Sequence, residues 1–263
     1  MSAFPRLNLS WRFVRVWRRN LLVNRKTWKI NFLPPLLEPF FFILAFGVGL
    51  SALVGTVSFE GERVSYTLYI APALIAINIM QNAFFETTYA SFVRMYYQKT
   101  FDAIMATPLS PQEVITAEIV WGATKALIAT SIMQIVLSFM GFIHYPHGAL
   151  ILPLAFLGGI AFASVGMLFT AVVPAIEVFN LPIFLFITPM FLFSGTFFPV
   201  EELPAWARRV ALLFPLTHLV RLTRHLCLGR LTPDLLWNVA YLAGFCVLCF
   251  PVALFAMHRR LVK

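Results

Sequence analysis

Long stretches without a charged side chain dominate this sequence and restrict it to very few architectures. Four windows lack Asp, Glu, Lys and Arg over more than 20 residues each, namely 39–59, 64–85, 178–200 and 235–257. A fifth window, 126–176, is 51 residues long and contains "HYPHG", whose proline and glycine interrupt a helix. About 20 apolar residues cross a bilayer as a helix. The four windows therefore predict one span each, and the fifth predicts two.

Six spans predict an all-α membrane protein, because a backbone in lipid satisfies its polar groups only within helices or closed barrels. A hydrophobic share of 60% and a charged share of 12% agree with this class. We expect residues 1–31 to form an amphipathic surface helix and residues 32–263 to form one transmembrane domain. The predicted spans are 32–57, 66–92, 110–142, 149–173, 176–198 and 234–257.

Positive charge is concentrated at the amino terminus. Eight of the 20 Lys and Arg residues lie within the first 29 positions, and no acidic residue precedes Glu38. A basic block beside the first span is typical of a cytoplasmic end, and six spans return Arg259, Arg260 and Lys263 to the same side. We therefore attribute the net charge of +9 to membrane orientation rather than to nucleic-acid binding. No short apolar stretch with a cleavage site precedes the first span, so we expect no signal peptide.

Residues 9–29 predict a helix lying on the membrane, with tryptophans among the headgroups. This helix is either a basic anchor that sets orientation or an elbow that also contacts a cytoplasmic partner. Its apolar stripe is Val14, Trp17, Leu21 and Trp28, and its basic stripe is Arg12, Arg15, Arg19 and Lys26.

The second predicted span carries a polar face. Asn78, Asn82, Phe85 and Tyr89 follow the i, i+4, i+7, i+11 spacing of one helical face, and Glu86 lies beside them. Polar side chains in lipid face protein or water. The face therefore serves either hydrogen bonds between helices or a route for a polar substrate.

Ionisable residues inside the predicted spans need partners. Glu38 lies near the start of the first span, where we expect it to pair with the basic helix. Glu118 and Lys125 lie seven residues apart on one face of the third span, and Glu86 is expected at a similar depth. We predict a structural ion pair between Glu118 and Lys125, with Glu86 as the other candidate partner of the lysine.

A short helix is predicted over residues 98–107, between the second and third spans. Pro108 stops it, and Ser110, Pro111 and Glu113 form a capping box that starts the third span. This short helix is either a docking surface for a cytoplasmic partner or a helix lying on the inner leaflet. Phe101, Ile104 and Met105 are expected on one face, with Lys99 and Asp102 outward and Thr107 at the end.

Small residues and prolines mark the fourth and fifth spans. Gly159, Ala163 and Gly166 predict close approach by another helix and leave room for a dimer seam. Pro182 and Pro189 predict kinks in the fifth span.

Residues 199–233 contain five arginines, which is unusual for an outer loop. We predict two short helices that dip into the outer leaflet and leave again, the first opened by Pro204 and the second over 216–226. His218, Arg221 and His225 share one side of the second helix, and Leu219, Leu222 and Leu226 share the other. Glu201 and Glu202 are expected near the start of the first helix, where the helix dipole favours carboxylates.

Several segments together resemble the permease subunits of type-2 ABC exporters and are most similar to the nodulation protein J family, which exports lipo-oligosaccharides. The resemblance covers most of the chain from about residue 32. The segments are "FETTYASFVRM" (85–95), "QKTFDAIMATPLS" (98–110), "WGATKA" (121–126), "FSGTFFPVEELP" (193–204) and "PLTHLVRLTR" (215–224).

This resemblance implies a half-transporter of the bacterial inner membrane that pairs with a second copy of itself and binds two ABC ATPase subunits. It places the coupling helix at Lys99 to Thr107 and makes residues 9–29 the elbow or interface helix. The implied cargo is an amphipathic glycolipid or oligosaccharide, or in a close variant a hydrophobic drug. The implied outer gate comprises Phe197, Phe198, Glu201, Glu202, Arg208 and Arg209.

The sequence contains no G-x-x-x-x-G-K-[ST] phosphate loop, so we expect no catalytic residue here and assign ATP and Mg²⁺ to a separate ATPase. We expect no metal site, since Cys246 and Cys249 form a CxxC inside the last span without further ligands. A proton-coupled secondary transporter using Glu86, Glu118 and Lys125 is the second hypothesis. An intramembrane enzyme is the third, and it lacks a catalytic constellation.

Overall fold

The computed structural model describes residues 10–59 and 61–262. Within them, six helices are long and apolar enough to cross a membrane, which confirms the predicted all-α class. We call them spans 1 to 6. They are Trp28–Gly47, Tyr66–Tyr97, Pro111–Phe139, His147–Val172, Ile176–Phe193 and Leu235–Leu261.

The amino-terminal helix, Phe13–Lys26, packs on span 3. Val16 and Asn20 are buried, and the Trp17 indole Nε1 donates to Thr124 Oγ1 at 3.0 Å. Val16 and Asn20 are four residues apart and so share the side of the helix that faces the bundle, and Trp17 beside them contacts span 3. The expected place of Trp17 among the headgroups stays a prediction.

Span 1 begins at Trp28, four residues earlier than predicted, and continues as helix to Val54 through a wide π-type stretch at Ile43–Leu50. A two-stranded hairpin, β1 (Thr56–Phe59) and β2 (Glu62–Ser65), then connects span 1 to span 2. Val57 and Phe59 point inward from β1. Alternating burial is typical of a strand, but over only four residues the pattern is too short to be recognised from the sequence.

Spans 2, 3 and 4 form the centre of the bundle and approach each other closely. A Cβ atom on Gly159 would lie 2.8 Å from the Ala123 Cα, and one on Gly166 would lie 2.8 Å from the Phe84 carbonyl oxygen. Close approach at these glycines is confirmed. Their partners, however, are spans 3 and 2 of the same chain, so the suggested dimer seam at Gly159 and Gly166 is wrong.

Spans 1, 5 and 6 lie at the periphery. In the most apolar window of each, 17%, 22% and 28% of residues are buried, against 78% in span 2. Span 5 is irregular, as its two prolines predict. Its parts are a 3₁₀ turn at Ile176–Phe179, α-helix at Asn180–Pro182, a π-type stretch at Ile183–Ile187 and α-helix at Thr188–Phe193.

Between spans 5 and 6 lie a 3₁₀ turn, Val200–Glu202, a short helix, Ala205–Ala211, and a longer one, Pro215–Leu228, which we call the buried helix. Gly229, with φ of 72°, ends the buried helix as predicted. The expected polar and apolar sides do not differ in exposure, because His218 and His225 are as buried as the leucines opposite them. Spans 2, 4 and 6 all pack against this helix and cover both of its faces.

Candidate functional site

A cavity of about 670 Å³ opens between the amino-terminal helix and spans 1, 2 and 3. Four of the five predicted pathway residues, Asn82, Phe85, Glu86 and Tyr89, line it. Both aromatic and amide side chains line it, which suits a ligand that presents both hydroxyl groups and apolar faces. The amides are Asn20, Asn24, Asn31, Gln81, Asn82 and Gln98.

Asn78, the fifth predicted pathway residue, lies outside the cavity lining and is fully buried. Its Nδ2 donates to Glu38 Oε2 at 3.2 Å. The expected pairing of Glu38 with the basic helix is therefore replaced by a contact between spans 1 and 2. Neighbouring helices bury Asn78, whereas Asn82, one turn away, lines the cavity. Helical spacing alone does not show this difference.

Four charged side chains form a network at the cavity, in which both carboxylates are buried and both cations are partly buried. Glu86 accepts from Lys125 Nζ at 2.7 Å and from Arg94 Nη1 at 2.8 Å, and Arg94 Nη2 reaches Glu118 at 2.5 Å. The predicted Glu118–Lys125 pair is wrong. Seven residues along a helix separate these two by about 10 Å, and Arg94 of span 2 lies beside Glu118 instead.

Neutral donors complete the network. The Trp121 indole Nε1 donates to Glu86 at 2.9 Å, the Ser91 hydroxyl donates to Glu118 at 2.6 Å, and Asn20 Nδ2 donates to Glu118 at 2.8 Å. Two carboxylates and two cations leave no net charge among the four. This balance matters, because an unpaired buried charge costs several kcal/mol. Sequence reasoning missed Arg94 because a basic residue near a span end looks like an orientation signal.

Span 2 widens where it carries these groups. Its α-helix, Tyr66–Phe85, passes into two π-type turns, Glu86–Ala90 and Val93–Tyr97. Each such turn breaks the regular helical hydrogen-bond register, and π-turns are frequent at functional sites. The Thr170 hydroxyl donates to the carbonyl oxygen of Thr87 at 2.7 Å, across the close contact with span 4.

The connector helix, Thr100–Met105, lies within the predicted coupling segment. Phe101 is completely buried, so it holds this helix on the bundle and is not offered to a partner. Lys99 and Asp102 face outward as predicted, 3.9 Å apart. Ile104 and Met105 are half-buried, and Thr107 is exposed.

The amino-terminal helix reaches the start of span 3. Ser110 and Glu113 form the predicted capping box, and the Ser10 hydroxyl bonds the Glu113 carboxylate. Arg12 Nη1 donates to the Pro108 carbonyl oxygen at 3.0 Å. A surface groove of about 400 Å³ lies between this helix and the connector helix. Its walls include Arg15, Arg19, Ala103, Ile104 and Thr107.

The other end of the bundle is organised around Arg224. Its Nε donates to the Tyr69 carbonyl oxygen at 3.1 Å, its Nη2 donates to the Gly195 carbonyl oxygen at 3.0 Å, and its guanidinium lies 3.7 Å from the Tyr69 ring centroid. No carboxylate among the described residues forms an ion pair with it. Phe197 packs against Phe46, with ring centroids 5.4 Å apart.

The predicted outer-gate residues have separate roles. Glu201 and Glu202 lie in the 3₁₀ turn rather than at the start of the following helix, so the helix-dipole interpretation is wrong. Glu201 Oε1 instead accepts from Arg221 Nη2 at 3.3 Å, and its carbonyl oxygen accepts from Arg208. Phe198 and Arg209 are exposed.

Among the described residues, no group of three or more His, Cys, Asp or Glu side chains is placed to hold a metal ion. Cys227, Cys246 and Cys249 are free thiols. Burial raises the pKa of the Cys227 thiol to about 12, so this thiol stays protonated at neutral pH.

A sequence profile of ABC-2 type transporters matches residues 12–228. The chain is 35% identical over 263 residues to nodulation protein J of Rhizobium leguminosarum bv. viciae, covering 100% of this chain and 99% of that protein. It is 34% identical over 262 residues to nodulation protein J of Neorhizobium galegae, covering 100% and 98%. A probable multidrug ABC transporter permease, YbhR of Escherichia coli strain K12, is 24% identical over 205 residues, which are 76% of this chain and 54% of that protein.

Proposed function

The chain belongs to the ABC-2 type transporter family, and from this premise we propose that it is the permease subunit of an ATP-driven exporter of an amphipathic glycolipid, lipo-oligosaccharide or polysaccharide-type substrate. It moves this substrate out of the cytoplasm or the inner leaflet by alternating access. The observation that carries the proposal is the amide-lined and aromatic-lined cavity beside spans 2 and 3.

The cavity favours a hydroxyl-rich headgroup over a purely apolar cargo. Amide side chains supply both donors and acceptors, and Phe85 and Tyr89 supply flat apolar surfaces beside them. Similarity to nodulation protein J over the whole chain supports the same class. A hydrophobic drug is the second candidate, since a relative covering 76% of the chain is named as a probable multidrug permease.

The energy source is a separate ABC ATPase that binds ATP and Mg²⁺. Its docking surface is the groove between the connector helix and the amino-terminal helix, with Lys99, Asp102 and Thr107 at the exposed edge. A second copy of the chain covers the apolar outer faces of spans 1 and 5, which have few contacts within this chain. Both termini face the cytoplasm of the bacterial inner membrane.

The test is reconstitution with a candidate ABC ATPase from the same organism. Purified complex in lipid vesicles is assayed for ATP hydrolysis and for delivery of a labelled lipo-oligosaccharide. We expect a complex of two permeases and two ATPases whose hydrolysis rises with the glycolipid. Stimulation by hydrophobic dyes alone would favour the drug exporter. Proton-driven flux by this chain without any ATPase would contradict the proposal and favour the secondary transporter.

Variants of the cavity connect this activity to the site. Tyr89→Ala removes an aromatic wall, and we expect it to lower glycolipid delivery about tenfold, the ratio for roughly 1.4 kcal/mol of lost contact. Leu248→Ala, on the exposed face of span 6, is the control and should leave delivery unchanged. Equal delivery by both variants would place the substrate route elsewhere.

A further inference from the structure

A second concave site differs from the polar cavity in composition and shares none of its lining residues. It is a groove of about 540 Å³ between span 4, the buried helix and the start of span 6. Eleven of its twelve lining residues are Leu, Pro or Val, and none is aromatic, although 16% of the chain is aromatic. Such a surface offers no stacking plane and only one hydroxyl group, from Thr232. It therefore suits a flexible hydrocarbon chain better than a ring or a sugar.

The groove has a fixed floor and open walls. Leu222 and Leu226 of the buried helix form the floor and are 3% and 6% exposed. Leu236 and Val239 of span 6 form one wall and are 73% and 38% exposed. The floor is held in place by packing against the bundle, whereas the walls lack partners in this chain. A ligand bound there would cover apolar surface that the fold leaves open.

Charged and ionisable groups of both kinds lie at one end of the groove. Arg230 precedes the lining residue Leu231 and forms an ion pair with Glu62 of the hairpin. The His147 ring lies close to Gly229, since its Nδ1 would be 3.7 Å from a Cβ atom at that position. Asp234, which is exposed, follows the lining residue Pro233. Arg230 and Asp234 are thus each one residue away from the lining of the groove.

This pairing of charges matches a zwitterionic phospholipid. We propose that the groove holds one acyl chain of a phosphatidylethanolamine molecule, with its phosphate beside Arg230 and His147 and its ammonium beside Asp234. An ammonium donates hydrogen bonds to a carboxylate, and a quaternary choline does not. The lipid is a bound structural ligand, and the site is independent of transport and of the ATPase.

Photolabelling of the purified chain tests the acyl-chain part of this proposal. The chain is placed in phosphatidylcholine nanodiscs with a trace of phosphatidylethanolamine that carries a diazirine on one acyl chain. After irradiation, peptides are mapped by mass spectrometry. We expect label to concentrate in residues 150–157 and 222–239. Label spread evenly over the exposed faces of spans 1, 5 and 6 would overturn the site.

A matched pair of variants on one helix separates the groove from ordinary lipid contact. Val239→Trp fills the groove, whereas Val247→Trp adds the same bulk at a 75% exposed position outside the lining. We expect label in the groove to fall at least about threefold with the first variant and to persist with the second. Equal labelling of the two variants would contradict occupancy of the groove.

The headgroup part has its own control. A phosphatidylcholine probe with the same acyl diazirine should label the groove about fivefold less, the ratio for about 1 kcal/mol, the upper end of the range for an exposed ion pair. Asp234→Asn should abolish this preference, and Arg63→Gln, an exposed hairpin residue outside the groove, should retain it. Equal labelling by the two probes in the unmodified chain would overturn the assignment of phosphatidylethanolamine.

Discussion

The two ends of the bundle handle buried charge in opposite ways. Beside the polar cavity, Glu86 and Glu118 are neutralised by Arg94 and Lys125 through one ion pair within span 2 and two ion pairs between spans 2 and 3. At the other end, Arg224 is held by two carbonyl oxygens and an aromatic ring, without a carboxylate among the described residues. Side-chain pairs can exchange partners when helices shift, but a backbone cage cannot. The first end suits rearrangement and the second suits permanence.

Substitution of Arg224 should have the largest effect on stability. Arg224→Met removes one donor from the Tyr69 carbonyl oxygen and leaves the Gly195 carbonyl oxygen with the Tyr69 hydroxyl. We expect a loss of about 3–5 kcal/mol of stability, since each of the two lost hydrogen bonds to a charged group contributes about 1.5–3 kcal/mol. Thermal unfolding in detergent measures it. Arg221→Met, whose side chain is 42% exposed and pairs with Glu201, is the control and should cost less than about 1 kcal/mol. Similar losses for both would remove the distinction between the two ends.

The ion-pair network should tolerate balanced change. Lys125→Met removes one partner of Glu86, and we expect a loss of about 2 kcal/mol, since Arg94 remains and Lys125 is 28% exposed. The double variant Lys125→Met/Glu86→Gln restores neutrality and should recover most of that loss. A double-mutant cycle of unfolding temperatures gives the coupling. Additive losses would mean that the pairs do not act as a network.

Removing the hydrogen bond between the amino-terminal helix and span 3 should have a smaller effect on stability. It should have a clearer effect on the coupling of ATP hydrolysis to transport. Asn20→Leu removes the donor to Glu118, and we expect a loss of about 1 kcal/mol. Because the same helix contacts the start of span 3 through Arg12, the ratio of substrate delivered to ATP hydrolysed should fall. Lys26→Leu, which is exposed, should keep the ratio. An unchanged ratio for Asn20→Leu would exclude this helix from coupling.

The smallest effect on stability should come from the connector helix surface. Asp102→Asn breaks an exposed pair with Lys99, worth less than about 0.5 kcal/mol, so unfolding should be unchanged. Binding of the ATPase should nevertheless weaken, as measured by co-purification. Phe101 gives the contrast, because it is buried and its truncation should unfold the helix from the bundle. Full ATPase binding by Asp102→Asn would move the docking surface elsewhere.

The sequence predicted those features whose cause is local. Charge-free length sets the six spans, and the Ser110 to Glu113 spacing sets the start of span 3. Gly229 ends the buried helix because only a residue without a side chain adopts its positive φ at little cost.

Features that depend on helix rotation and neighbours could not be predicted. Depth along a span placed Glu86, Glu118 and Lys125 near one another, but it could not say which of them meet or that Arg94 joins them. The two π-type turns of span 2 likewise follow from packing rather than from residue preference. The buried helix was misjudged for the same reason, since amphipathic spacing does not show that protein covers both faces.

The ion pairs of the network can form only in a certain order during synthesis. The chain is inserted into the membrane as it is made. When Glu118 is synthesised, its partners Asn20, which lies 98 residues earlier, and Arg94 are already present. Glu86 must instead wait for Lys125, 39 residues later, which at about 5–20 residues per second is a delay of several seconds. During that interval Arg94 is the ion-pair partner already available to Glu86 on the same helix. Span 2 thus carries its own counter-ion into the bilayer before its neighbour arrives.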